Sequence, residues 1–119
     1  MEVTYEWLFL KGLAWTLALE LPVVVLLFRW GPWRRKLSAV RLVVAGTVPT
    51  LLTLPYLWFL GPWIIPDRAL RAAVGEPMVA LVEAALLCVL TGVSWKGALA
   101  VSIAANLCSW LAGCFLPLL

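Results

Sequence analysis

Four long apolar stretches, parted by short segments that carry most of the charge, constrain this chain more than any motif does. Each approaches or exceeds the roughly 20 residues needed to cross a hydrocarbon core. The expected spans are about residues 8–28, 37–60, 77–93 and 97–116. The first contains Glu20 and the third Glu83; the second has no charge after Arg41, and the fourth has none. A closed barrel is not expected at this length, and an open sheet would leave its edges unsatisfied in lipid. The expected fold is therefore an all-α integral membrane protein with four transmembrane helices in a single domain.

Composition supports this reading by exclusion. The chain is 65% hydrophobic and 13% charged, against roughly 45–50% and 25% for an ordinary soluble domain. A globule of 119 residues exposes too much surface to cover itself with so few polar groups. The sequence has no histidine, which removes Ser-His-Asp and Cys-His relays, His-ligated haem and most zinc sites. Cys88, Cys108 and Cys114 read as small apolar fillers, because six positions separate the last two by about 240° around a helix. No metal site, cofactor, phosphate loop or nucleic-acid partner is indicated, and no enzymatic activity is expected.

Arg29, Arg34, Arg35, Lys36 and Arg41 crowd the link between the first two stretches with no acid among them, which makes that link cytoplasmic by the positive-inside rule. The link before the fourth stretch carries only Lys96, whereas the opposite side mixes Glu2, Glu6 and Lys11 with Asp67, Arg68, Arg71 and Glu76. Both chain ends are thus expected on the outer side of a cell membrane. Trp7, Trp30, Trp33, Trp58, Trp63 and Trp95 fall near the expected water boundaries, as an aromatic belt would. Glu2 and Glu6 precede the first stretch, unlike the basic start of a cleaved signal, and no lipid-attachment pattern is seen. The cluster Arg34-Arg35-Lys36 suits anionic headgroups or a partner's acidic surface, although orientation alone would also explain it.

Residues 61–76 are too many for a tight turn, and about 66–74 reads as a short helix lying along the outer interface, broken by Gly75. Glu76 before Pro77 then reads as the start of the third span. Each half of the chain shows an apolar helix with one acid, a link with tryptophan followed by a basic residue, and an uncharged helix. That pattern fits two parallel two-helix repeats, or coincidence between two hairpins with basic links.

Glu20 and Glu83 are the expensive residues, since a charged side chain at mid-membrane costs about 2.5–3.5 kcal/mol on insertion scales. Lys11 and Arg29 are each nine positions from Glu20, roughly 13.5 Å along a helix. Each acid must therefore hold a proton, accept hydrogen bonds across the bundle, meet water or bind a cation. Glu76 shares a face with Glu83, seven positions on. In the fourth stretch Ser102, Asn106, Ser109 and Gly113 form one seam, and Asn106 can donate to Glu83. Ala39, Gly46, Thr50 and Thr53 give the second stretch a small-residue stripe suited to close packing. Pro22, two positions after Glu20, frees the carbonyl of Ala18 and is expected to bend the first helix.

Glu20, Glu83 and Asn106 are the candidate proton- or cation-binding residues, supported by Glu76, Pro22, Ser102 and Ser109. In size and span count the chain is similar to small multidrug exporters, which use a carboxylate in the first helix; Glu20 alone matches, and Glu83 departs from that pattern. Two functions stay open: a proton- or cation-coupled transporter or channel, assembled as a homo-oligomer, and a non-catalytic accessory subunit of a larger membrane complex.

Overall fold

A computed structural model describes residues 4–31 and 36–115, and all regular structure among them is helical. The helices are α1 (Tyr5–Trp30), α2 (Ala39–Ile64), α3 (Arg68–Thr91) and α4 (Trp95–Phe115). Among the described residues α1, α2 and α3 are long and apolar enough to cross a membrane. Arg34 and Arg35 lie outside the described residues, whereas Lys36 is exposed just before α2.

Each helix begins on a short polar side chain that accepts an otherwise orphaned backbone N–H. The Thr4 hydroxyl accepts from Trp7 N at 3.2 Å, Ser38 from Arg41 N at 3.2 Å, Asp67 from Leu70 N at 2.8 Å and Ser94 from Gly97 N at 3.3 Å. Helix α3 ends on Gly92, at φ 73°, whose N–H donates to the Cys88 carbonyl at 2.9 Å. That left-handed cap reverses the chain into α4 within three residues. A Cβ at this φ meets the following carbonyl, so Gly92→Ala is expected to cost about 1–2 kcal/mol. Thermal unfolding in detergent should show a correspondingly lower midpoint, and an unchanged midpoint would mean the turn is not held in this form.

The segment about 66–74 is not set off from the third span by a break at Gly75. Helix α3 runs unbroken from Arg68 through Gly75, Glu76 and Pro77. Asp67, not Glu76, caps it, and Glu76 is an interior helical residue. Gly75 admits a neighbour rather than breaking the chain: a Cβ there would lie 2.7 Å from Leu57 Cδ1 of α2. Pro77 removes one backbone bond, but packing on both sides of it holds the helical path. Likewise α1 passes through Pro22 as continuous helix. In α2 the path does change: a π-helical stretch, Tyr56–Leu60, follows directly on Pro55, whose missing N–H loosens the ladder there.

The four helices run alternately up and down and pack as a ring, α1 against α2, α2 against α3, α3 against α4, and α4 back against α1. Polarity is inverted relative to a soluble bundle. Trp63, Val89, Val40 and Ile64 are among the most exposed side chains, whereas Glu20, Thr50, Thr53, Glu83, Thr91 and Ser102 are buried. Apolar side chains outward and acids inward is the arrangement that a lipid solvent selects.

The two ends of the ring differ. Where α1 leads into α2 and α3 into α4, Phe28, Val24, Leu42, Leu87, Ala98 and Val101 form a dry core. Arg41 of α2 reaches across this end and donates Nε to the Leu90 carbonyl at 2.7 Å, placing a cation on the negative terminus of α3. At the far end Tyr5, Phe9, Trp58 and Phe59 cluster with ring centroids 4.9–5.8 Å apart. There the Tyr5 hydroxyl donates to the Trp58 carbonyl in the π-helical stretch, and the helices part to leave cavities.

Candidate functional site

Glu20 and Glu83 sit on α1 and α3, which are diagonal in the ring, so both acids face α2 and α4. Their exposures are 3% and 5%, which means that every oxygen needs a partner from the protein. The partners come in a regular pattern. Glu20 accepts from the Thr50 hydroxyl of α2 at 3.4 Å and from the Ser109 hydroxyl of α4 at 2.7 Å. Glu83 accepts from the Thr53 hydroxyl of α2 at 3.1 Å and from Asn106 Nδ2 of α4 at 2.8 Å. Thr50 and Thr53 are three positions apart, as are Asn106 and Ser109, a rise of roughly 4.5 Å on either helix. The two carboxyl groups therefore occupy one layer about a helical turn thick, caged by the same two helices.

All four donors are neutral, so the cage satisfies the acids by hydrogen bonding without a counterion of its own. Both protons of Asn106 Nδ2 are used, on Glu83 and on the Ser102 carbonyl, each at 2.8 Å. The hydroxyls are short of protons. Thr53 faces Glu83 and also the Pro49 carbonyl at 2.8 Å; Ser109 faces Glu20 and also the Asn106 carbonyl at 3.1 Å. A hydroxyl has one proton to give. With the acids ionised, each hydroxyl must choose between carboxylate and carbonyl. With a proton on the acid, its O–H donates to the hydroxyl oxygen while the hydroxyl serves the carbonyl. The same heavy-atom positions thus accommodate an added proton at either carboxyl group and gain a hydrogen bond by it.

The other residues singled out from sequence distribute unevenly. Ser102 is buried one turn from the cage and donates to the Ala80 carbonyl at 2.7 Å, tying α4 to α3. Glu76 lies on the face of α3 that carries Glu83, is half-buried, and lines both cavities at the looser end. Pro22 is exposed and is not brought into the cage. Cys88 is half-buried and Cys108 exposed, both as free thiols, and the side chain of Cys114 lies outside the described residues. Among the described residues no cluster of His, Cys, Asp or Glu is arranged to hold a metal. Thr50 and Thr53 were expected as packing residues and prove to be donors to the acids; the available signal was two hydroxyls three apart inside an otherwise apolar span. Gly46, on the same stripe, does pack closely, since a Cβ there would collide with Leu21, next to Glu20.

On either side of the cage the two ends of the bundle differ, one filled by packed side chains and the other holding a cavity. Toward the short links lies the dry core around Phe28 and Val101. Toward the far end a cavity of about 450 Å³ between Tyr5, Trp58, Arg68, Arg71 and Glu76 opens above the acids. Glu76 is seven residues from Glu83, roughly 10.5 Å along α3, and forms an acidic step between the cavity and the cage. No family model, curated protein or solved structure matches this chain.

Proposed function

We propose that this chain is a small polytopic membrane protein that carries protons or small cations across the bilayer, with Glu20 and Glu83 as the exchanging groups. The observation that supports this most is the caged pair: two acids in one buried layer, held by neutral donors whose heavy-atom positions accommodate an added proton on either carboxyl group. Intramembrane carboxyl groups are a standard device for such paths. The closed core on one side and the cavity lined by Glu76 on the other correspond to one state of a path that opens alternately. In this reading α4 crosses the membrane with the other three, both termini face the outside of the cell membrane, and Arg34, Arg35 and Lys36 meet anionic headgroups within. Four helices enclose little space, so the conducting form is a homo-oligomer.

The test is flux into liposomes loaded with a pH indicator, with sodium or potassium gradients run in parallel. Wild type is expected to dissipate a proton or cation gradient, and Glu20→Gln and Glu83→Gln to lower the rate at least tenfold, because glutamine keeps the cage bonds but cannot exchange a proton. Equal rates in all three would refute the assignment. Inactive wild type that co-purifies in fixed ratio with another membrane protein would replace it by the accessory-subunit reading.

A further inference from the structure

Helices α3 and α4 part along one flank of the bundle into a cavity of about 830 Å³, within the size range of small-molecule sites. Its walls are apolar, with Ala69, Ala73 and Leu81 on α3 and Leu99, Ile103 and Leu107 on α4. Leu81, Ile103 and Leu107 are also exposed, so the cavity opens on the outer flank of the bundle.

Two polar side chains interrupt this lining, and both offer acceptors. Glu76 is its one ionisable residue, and among the described residues neither a hydrogen-bond donor nor a cation meets its carboxyl group. Arg68 and Arg71 line the other cavity, on the α1 and α2 side of α3, where Arg71 gives Nη1 to the Ile65 and Pro66 carbonyls. Asn106 spends both Nδ2 protons on Glu83 and the Ser102 carbonyl, which leaves Oδ1 for an occupant of the cavity. A carboxyl group set in an apolar wall without a donor needs a proton or a cation. A bare metal ion is a poor match: Ca²⁺ and Mg²⁺ take roughly six or more oxygen ligands, and few side-chain oxygens are on offer. An organic ammonium needs only one anion, and an apolar body attached to it gains by leaving water for the alanine and leucine walls.

Trp110 of α4 completes the match to a cation. Asn106 meets Glu83 and Ser102 meets Ala80 across the antiparallel pair, and that register brings Trp110, which also lines the cavity, within about one turn of Glu76 along the axis. The face of an indole attracts an ammonium group.

We infer that the α3–α4 cavity binds an amphiphilic organic cation, an ammonium on an apolar body, with Glu76 as its counterion and the Trp110 indole against its charged end. Asn106 lines the cavity while its amide holds Glu83, so the occupant lies one side chain from the caged pair. Binding does not rest on the transport assignment, and the test reads binding alone, so either can fail without the other.

Equilibrium dialysis of the full chain in detergent, against protein-free micelles, compares three probes built on one apolar body: naphthylmethyl-trimethylammonium, its neutral neopentyl isostere and naphthylmethanesulfonate. Wild type is expected to bind the ammonium at least tenfold more tightly than the other two. Glu76→Gln should remove that preference and leave the neutral probe unchanged, Trp110→Leu should weaken the ammonium about threefold, and Ala73→Trp, which fills the cavity, should abolish binding; circular dichroism checks that the variants keep wild-type helicity. Equal binding of the three probes to wild type would overturn the proposal, leaving a greasy groove without charge selection. So would a preference that survives Glu76→Gln and is lost in Glu83→Gln, which would put the cation in the cage. A dimer that excludes the ammonium and dissociates in Ala73→Trp would make a second copy the occupant and overturn it too.

Discussion

Phe28→Ala should be the most damaging single truncation in the bundle. Phe28 has no exposed surface and is the largest of the fully buried side chains. It packs with Val24, Leu42 and Val101 in the core that closes the end near the basic link. Removing a buried phenyl ring leaves a cavity that rigid helices refill only in part, and the expected loss is about 3–5 kcal/mol. Denaturant or thermal unfolding in detergent measures it. Phe59→Ala at the opposite end is the control: that ring is 39% exposed and leans on Tyr5 and Phe9 at the loosely packed end, so its removal should cost much less.

The same variant also tests the closed side of the proposed path. If the core around Phe28 is what separates the cage from the interior, its truncation should raise passive proton leak through reconstituted wild-type-like vesicles, whereas Phe59→Ala should not. Leak that rises with Phe59→Ala and not with Phe28→Ala would mean the barrier lies elsewhere.

What could be read from sequence followed the solvent. Long uncharged runs can satisfy their backbones in only one way in lipid, so the helical architecture was legible from Leu8 onward. The acids were legible for the same reason: a carboxyl group at Glu20 or Glu83 has no cheap place outside the bundle. Asn106 and Ser109 could be found because an otherwise apolar helix repeats polar groups at one face. The errors came from local signals overridden by packing. Gly75, Glu76 and Pro77 form a plausible helix start by capping rules, yet α3 passes through them as continuous helix, with Leu57 of α2 seated against Gly75. Pro22 drew attention by its nearness to Glu20 in sequence, but two positions turn it about 200° around the helix, away from the cage. Thr50 and Thr53 were undervalued because hydroxyls on a small-residue stripe serve packing as readily as hydrogen bonding. Their role depends on which helices are neighbours, and apolar sequence does not encode ring order.

That dependence on neighbours makes the contact between Asn106 and Glu83 the sharpest test of the arrangement. Asn106→Leu keeps the volume of the side chain but strips Glu83 Oε2, on a buried carboxyl group, of its 2.8 Å donor. Glu83→Leu leaves Asn106 Nδ2 with only the carbonyl and hydroxyl of Ser102, and frees the Thr53 hydroxyl for the Pro49 carbonyl. Interhelical hydrogen bonds in membrane proteins usually couple by less than 1 kcal/mol, because the unfolded chain in the membrane also finds partners. Here the acceptor is a carboxyl group at 5% exposure, so the coupling should reach the upper end of the range, about 1–2 kcal/mol. Each single variant is expected to unfold more easily than wild type, and the double variant to recover most of the loss, since an apolar pair leaves nothing unsatisfied in lipid. Unfolding free energies of the four proteins in the same detergent give the coupling directly. Strict additivity would mean that Asn106 and Glu83 are not coupled, and would leave Ser109 on Glu20 as the remaining tie of α4 to the cage.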